Sequence, residues 1–171
     1  MRKTLITLLF ISVLAARQPI VYFYVIPFDN LKDDPTIEWI SSGLSDMVSN
    51  KFKNEPGLLI QDKRDLEVIM NDRSLMLKQP IASRNLLLLG KYSRQLEKIN
   101  ISLQLIDLAT WEQIESKNVA AEYSDISKMK SSVAENIRSM ISSYLPSKSG
   151  GVSVGLPKFT DPNPVVARDP V

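Results

Sequence analysis

Apolar residues change their period several times along this chain, and each change marks an element. Residues 20–28 form an almost unbroken run of β-branched and aromatic side chains ending at Pro27-Phe28, the pattern of a strand covered on both faces. Asp34-Pro35 then supplies an N-cap followed by proline at the first helical position. Ile37, Ile40, Leu44, Met47, Val48 and Phe52 recur at helical spacing until Pro56-Gly57 stops the run. Residues 58–61 read as a short strand. Asp62 and Asp65 resemble a capping box, opening a helix with Leu66, Ile69 and Met70 on one face.

Residues 74–84 carry no clear period, and Gln79-Pro80 breaks any helix through them. Residues 85–92 predict the most buried strand, with Leu86 to Leu89 consecutive and Gly90 marking a bulge or a close approach. In residues 100–107, Ile101, Leu103 and Leu105 alternate with Ser102 and Gln104, so this strand is half-covered and pairs as a hairpin with 86–95. A turn at 108–111 leads into a further strand over 112–123. Ser124-Asp125 caps a last helix whose stripe of Ile126, Met129, Val133, Ile137, Met140, Ile141, Tyr144 and Leu145 ends at Pro146. The order β-α-β-α-β-β-β-α predicts an α/β domain: one mixed sheet of about five strands with about three helices packed on one or both faces.

The ends differ from this middle. Met1-Arg2-Lys3 followed by an apolar run over residues 4–14 and Ala15-Ala16 has the layout of a secretory signal. The run is shorter than the roughly 20 residues of a spanning helix; the other reading is an uncleaved anchor or a first buried strand. The division expected is therefore a signal peptide over 1–16, a domain over 17–146 and an extended or disordered tail over 147–171, where Gly150-Gly151 precedes Pro157, Pro162, Pro164 and Pro170. Removing Arg2 and Lys3 with the leader takes the 21 basic residues to 19, against 19 acidic. A net charge near zero is unlike a nucleic-acid binder. The chain has no cysteine and no histidine. That excludes disulfides, thiolate chemistry and a lipid-modified cysteine, and removes the commonest metal ligand and general base.

The candidate chemistry is correspondingly thin. Ser127 and Lys130 fit a Ser-x-x-Lys pattern but stand alone, and capping with solvation explains them. Asp29, Asp33 and Asp34 offer oxygen ligands to a hard cation, without the spacing or glycine of a calcium loop; helix capping accounts for Asp34. No cofactor or metal is expected. Trp39, Trp111 and, in the tail, Phe159 are the candidate protein-binding residues, since aromatics are over-represented among interface hot spots. For Trp39 the competing role is to shield the strand edge or staple the loop. Asp107 and Thr110 are expected to build the turn before Trp111 through side-chain bonds to the backbone.

Several motifs carry a family resemblance. Pro27-Phe28-Asp29-Asn30-Leu31, Asp34-Pro35, Glu38-Trp39 and Gly43-Leu44 resemble the TolB-like amino-terminal domain, as found in FlgO-like flagellar, outer-membrane-associated proteins. Asp62-Lys63-Arg64-Asp65-Leu66, Leu86 to Gly90 and Leu105-Ile106-Asp107-Leu108-Ala109-Thr110 are similar to the CsgG family, from curli secretion. The match covers about residues 20–145. It departs in three places: Trp111 stands where glycine usually follows the threonine, a full helix is missing before the glycine-ending strand, and the 93–100 connection has no room for membrane hairpins. The resemblance implies a non-catalytic, exported protein of the periplasm that associates with the outer membrane only through protein partners. Its role would be a structural or adaptor part of an envelope assembly, in a homo-oligomer or ring. The alternatives are a regulator that binds a peptidoglycan synthase and a subunit of a CsgG-like secretion complex.

Overall fold

A computed structural model describes residues 19–146; the expected signal peptide, the tail and Phe159 lie outside the described residues. The strands are β1 (Val21–Val25), β2 (Asp29–Asn30), β3 (Leu58–Gln61), β4 (Arg84–Gln95), β5 (Lys98–Asp107) and β6 (Glu112–Glu122). The helices are α1 (Trp39–Phe52), α2 (Lys63–Asn71), α3 (Ser74–Leu77) and α4 (Ile126–Ile141), with single 3-10 turns at Pro35–Ile37 and Ser142–Tyr144. One mixed sheet runs β3-β1-β4-β5-β6, parallel on its β3-β1-β4 side and antiparallel from β4 to β6.

The strand order explains where the helices lie. The α1 crossover carries the chain from β1 outward to β3, and the α2–α3 crossover carries it back past β1 to β4. Parallel crossovers are right-handed, so reversing direction places the two connections on opposite faces. On one face α1 and α4 cover the main core: Phe23, Leu44, Phe52, Leu86, Leu88, Tyr92, Leu103, Leu105, Val133 and Ile137 are all buried there. On the other, α2 and α3 cover a small cluster of Tyr24, Ile69, Leu87 and Leu108.

The first strand stops at Val25, short of Phe28. Pro27 has no N–H to give a central ladder, and the Phe28 N–H instead donates to the Ser41 carbonyl at 3.2 Å while the Ser41 hydroxyl donates to the Phe28 carbonyl at 2.7 Å. The chain then rejoins the sheet as β2, opposite Lys91 and Tyr92. Gly90 is a close approach rather than a bulge: a Cβ there would lie 2.3 Å from the Phe28 ring. The sheet's irregularity lies at Leu105/Ile106 in the β5–β6 ladder, where Ile114 is the extra residue. Asp34 caps the 3-10 turn, not α1, and Met70 and Ile126 are solvent-exposed rather than in their helices' buried stripes. The last helix ends at Ile141, and Tyr144 and Leu145 pack on the core from beyond it. The capping box at Asp62 and Asp65 is complete, with both reciprocal bonds made.

Candidate functional site

At one end of the sheet, where β5 turns into β6, short-range hydrogen bonds build a tight loop. The Asp107 carboxylate accepts from the Ala109 N–H at 2.8 Å, and the Thr110 hydroxyl accepts from the Glu112 N–H at 3.3 Å. The Trp111 N–H closes the loop onto the Asp107 carbonyl at 2.7 Å. Asp107 and Thr110 thus build the turn as expected. Trp111 adopts φ 63°, the left-handed conformation that glycine takes without cost. The indole is 42% exposed, and the Arg73 guanidinium lies 5.8 Å from its ring centre while donating to the Leu108 and Ala109 carbonyls at 3.1 and 3.2 Å.

Beside this turn runs the loop from α3 into β4. Its base is a reciprocal amide pair: Asn85 Nδ2 donates to Gln79 Oε1 at 2.7 Å and Gln79 Nε2 returns a bond to Asn85 Oδ1 at 3.3 Å. The Tyr24 hydroxyl donates to the same Asn85 oxygen at 3.1 Å. Burial, then the charge of Asp65, holds the Tyr24 phenol above its ordinary pKa, so it stays a neutral donor. The Ser83 N–H donates to the Pro80 carbonyl at 2.8 Å and tightens the loop further. On this anchored loop Ile81 is 100% exposed, and Leu77, the last residue of α3 before it, is 88% exposed. Ile81 shares a cleft of about 330 Å³ with Arg84, Asp107 and Ala109, so the two loops form one surface at this pole.

Trp39 is elsewhere. It opens α1 at the opposite end of β4, 41% exposed and packed over Gly43, where a Cβ would sit 3.7 Å from the ring. The two tryptophans are not brought together. Trp111 is a residue that the sequence singles out, whereas Ile81, Leu77 and Arg73 fall in or beside the stretch without a period; an isolated apolar residue directly after Gln79-Pro80 is the available signal.

The other candidates resolve into local structure. The Asp34 carboxylate accepts from the Thr36 hydroxyl and N–H at 2.7 and 2.9 Å, and these bonds, the hydroxyl's first, lower its pKa. Ser127 is exposed on the first turn of α4, where the Asp125 carboxylate caps the Lys128 N–H at 2.9 Å. Among the described residues no group of three or more His, Cys, Asp or Glu side chains can hold a metal ion. Open α/β sheets bind ligands in the crevice beyond the carboxyl ends of their parallel strands; here the buried Phe28 on Gly90 occupies the space beyond β1.

No family model matches this chain, and no curated protein matches it in sequence. Among solved structures it is similar to TolB from Acinetobacter baumannii, with a TM-score of 0.50 at 15% identity over 79% of this chain. It covers 32% of that TolB chain, about a third of its length. Lower scores relate it to the PelC dodecamer from Paraburkholderia phytofirmans (0.43, 14% identity, 70% of this chain and 86% of that one). The LpoB C-terminal domain from Escherichia coli follows (0.39, 13% identity, 59% and 82%). These last two scores are too low to support any argument. The chain therefore shares with TolB a fold.

Proposed function

We propose that this protein is a non-catalytic, exported adaptor or structural component of an envelope assembly, and that it docks through the pole carrying Ile81, Leu77 and Trp111. The observation that carries the docking surface is Ile81, fully exposed at the crest of a loop whose base is a reciprocal amide pair between Gln79 and the buried Asn85. A loop positioned by a rigid scaffold is a common site of binding, and Ile81 offers it an exposed apolar side chain beside the β5–β6 turn. The anchoring leaves little loop entropy to lose on docking. The envelope placement is supported by the basic-apolar-small pattern of residues 1–16 and by the TolB-like motifs, whose FlgO-like members direct it toward the outer membrane and the flagellar base. The β4–β5 hairpin turns in two residues, Leu96 and Glu97, so that connection contributes no membrane strand to a pore.

The test is fractionation of native envelopes and sizing of the particle in mild detergent, for the wild type and for Ile81→Asp. A large outer-membrane-associated particle in the wild type, reduced to monomer in a folded Ile81→Asp variant, is expected. A wild-type protein that fractionates as a soluble monomer would sink the assembly reading. A one-to-one complex with a synthase would replace it by the regulator.

A further inference from the structure

The sheet ends at β6. That strand pairs with β5, and among the described residues no strand lies along its outer side. The Tyr123 N–H donates to the Glu97 carbonyl at 2.7 Å, and hydrogen-bonded pairs recur at every second residue of an antiparallel ladder. Glu115, Lys117 and Val119 therefore turn their N–H and C=O groups toward β5, while Ser116 and Asn118 turn theirs outward. Unpaired backbone groups along a sheet edge are a template for another strand. Helix α4 leaves this stretch open. It starts beside the far end of β6, where Ala120, Ala121, Glu122, Asp125 and Lys128 line one groove, and it runs across the sheet to bring Arg138 within 2.9 Å of Glu55. Glu115 and Lys117 lie opposite the buried Leu105 and Leu103, so both share the α4 face. Their side chains are each about a third exposed, and their charges meet at 3.2 Å.

We propose that this edge pairs with β6 of a second copy, antiparallel, about a two-fold axis at Ser116. Symmetry and charge together select that position. A two-fold axis relating antiparallel strands stands perpendicular to the sheet, so one residue faces its own copy and the pairs on either side are reciprocal. An axis at Glu115 or Lys117 sets like charges directly opposite, which destabilises the pair. An axis at Asn118 or Val119 leaves both charges without a cross-strand partner. At Ser116, Glu115 of each copy lies opposite Lys117 of the other, twice. Because Ser116 turns outward, it exchanges both backbone hydrogen bonds with its copy, and the Glu115–Lys117 pairs take the closer spacing of about 4.5 Å between Cα atoms. Asn118 meets Ile114, where the bulge ends the ladder. Charges on an edge repel most strands; this edge admits one whose charges run in the opposite order, and its own reversed copy is such a strand. The ladder is short, which puts the interface in the weak class below about 1,200 Å². The dimer therefore belongs to concentrated protein and dissociates in the dilute extract in which the envelope particle is sized. The inference does not rest on the docking reading, because it uses no residue of the Ile81 loop.

The test is sedimentation equilibrium of the purified full chain with two charge reversals. Lys117→Glu leaves two acidic side chains at this part of the edge, and Glu115→Lys leaves two basic ones. Each variant alone should dimerise about tenfold more weakly than the wild type. An equimolar mixture of the two should recover the wild-type constant as a heterodimer, which also shows that both variants are folded. In the wild type, raising the concentration should slow hydrogen exchange at the Ser116 and Asn118 amides and leave that of Lys117, already bonded to β5, unchanged. Ile81→Asp should alter none of this, so a failure here and a failure of the docking reading are read separately. A wild type that stays monomeric up to its solubility limit would overturn the proposal. So would a dimer that neither reversal weakens, or a mixture that fails to recover.

Discussion

Among the described residues three other than glycine carry positive φ: Asp33 at 48°, Leu96 at 56° and Trp111 at 63°. Aspartate tolerates this conformation, whereas Leu96 and Trp111 each bear a cost of about 1–2 kcal/mol. Leu96 is 86% exposed, so Leu96→Gly removes strain and almost no packing; it should raise the urea midpoint by the equivalent of about 1 kcal/mol. For Trp111 the side chain and the backbone can be separated. Trp111→Gly and Trp111→Ala both remove the indole and its Arg73 contact, but only alanine keeps the strain. The glycine variant should be the more stable by about 1 kcal/mol, and equal midpoints would mean that the turn relaxes. Gly90 is the opposite case. Gly90→Ala drives a methyl into the Phe28 ring and should cost about 1–3 kcal/mol, part of it recovered by adding Phe28→Leu.

The starts of α2 and α4 are legible in the sequence, because a cap is a local event. Asp62 with Asp65 and Asp125 with Lys128 are each decided within four residues. The strand pairing of β4 with β5 was legible for the same reason, since clean alternation and a short turn specify a hairpin. What could not be read was the stretch between α2 and β4. Its short helix follows a local turn at Asp72, whose carboxylate accepts from both the Ser74 hydroxyl at 2.6 Å and its N–H at 3.0 Å. Yet its course is set by the Gln79–Asn85–Tyr24 network, in which Tyr24 and Asn85 are 61 residues apart. No window of periodicity contains that contact. The exposure of Ile81 follows from it, so half of the candidate site was hidden with it. The caps also predict an acid limb. Thr36 bonds lower the Asp34 carboxyl, Ser74 bonds that of Asp72, and the Asp65 N–H bond that of Asp62. A group whose folded pKa is depressed contributes stability above its ordinary value, near 3.8, and loses it as pH falls through the lower folded value. The urea midpoint should therefore fall between about pH 5 and pH 3. Asp62→Asn keeps a cap acceptor without the titration and should make that fall shallower; an unchanged slope would mean that the Asp62 cap contributes nothing to it.

The sheet divides the molecule into unequal halves, and this sets which parts can open alone. On the α1–α4 face the core is continuous from Phe28 and Phe52 through β5 to Met140. On the α2–α3 face the buried apolar cluster among the described residues is Tyr24, Ile69, Leu87 and Leu108, and Val68 and Met70 of α2 remain more than half or nearly half exposed. Local stability follows buried apolar contact, so the α2–α3 layer is the weaker unit. Its release would leave the main core packed, while freeing Asn85 from Gln79 and loosening the loop that displays Ile81. In native-state hydrogen exchange, the amides of Leu66, Ile69 and Met70 should open by a sub-global route with a shallow dependence on denaturant. Those of Leu103, Leu105 and Ile137 should exchange only with global unfolding. Gln79→Ala should widen the gap, lowering the α2–α3 opening free energy by about 1–3 kcal/mol for the unpaired buried amide. If the α2 amides instead track the global transition in both proteins, the two faces unfold as one unit and the rigidity of the Ile81 loop is that of the whole domain.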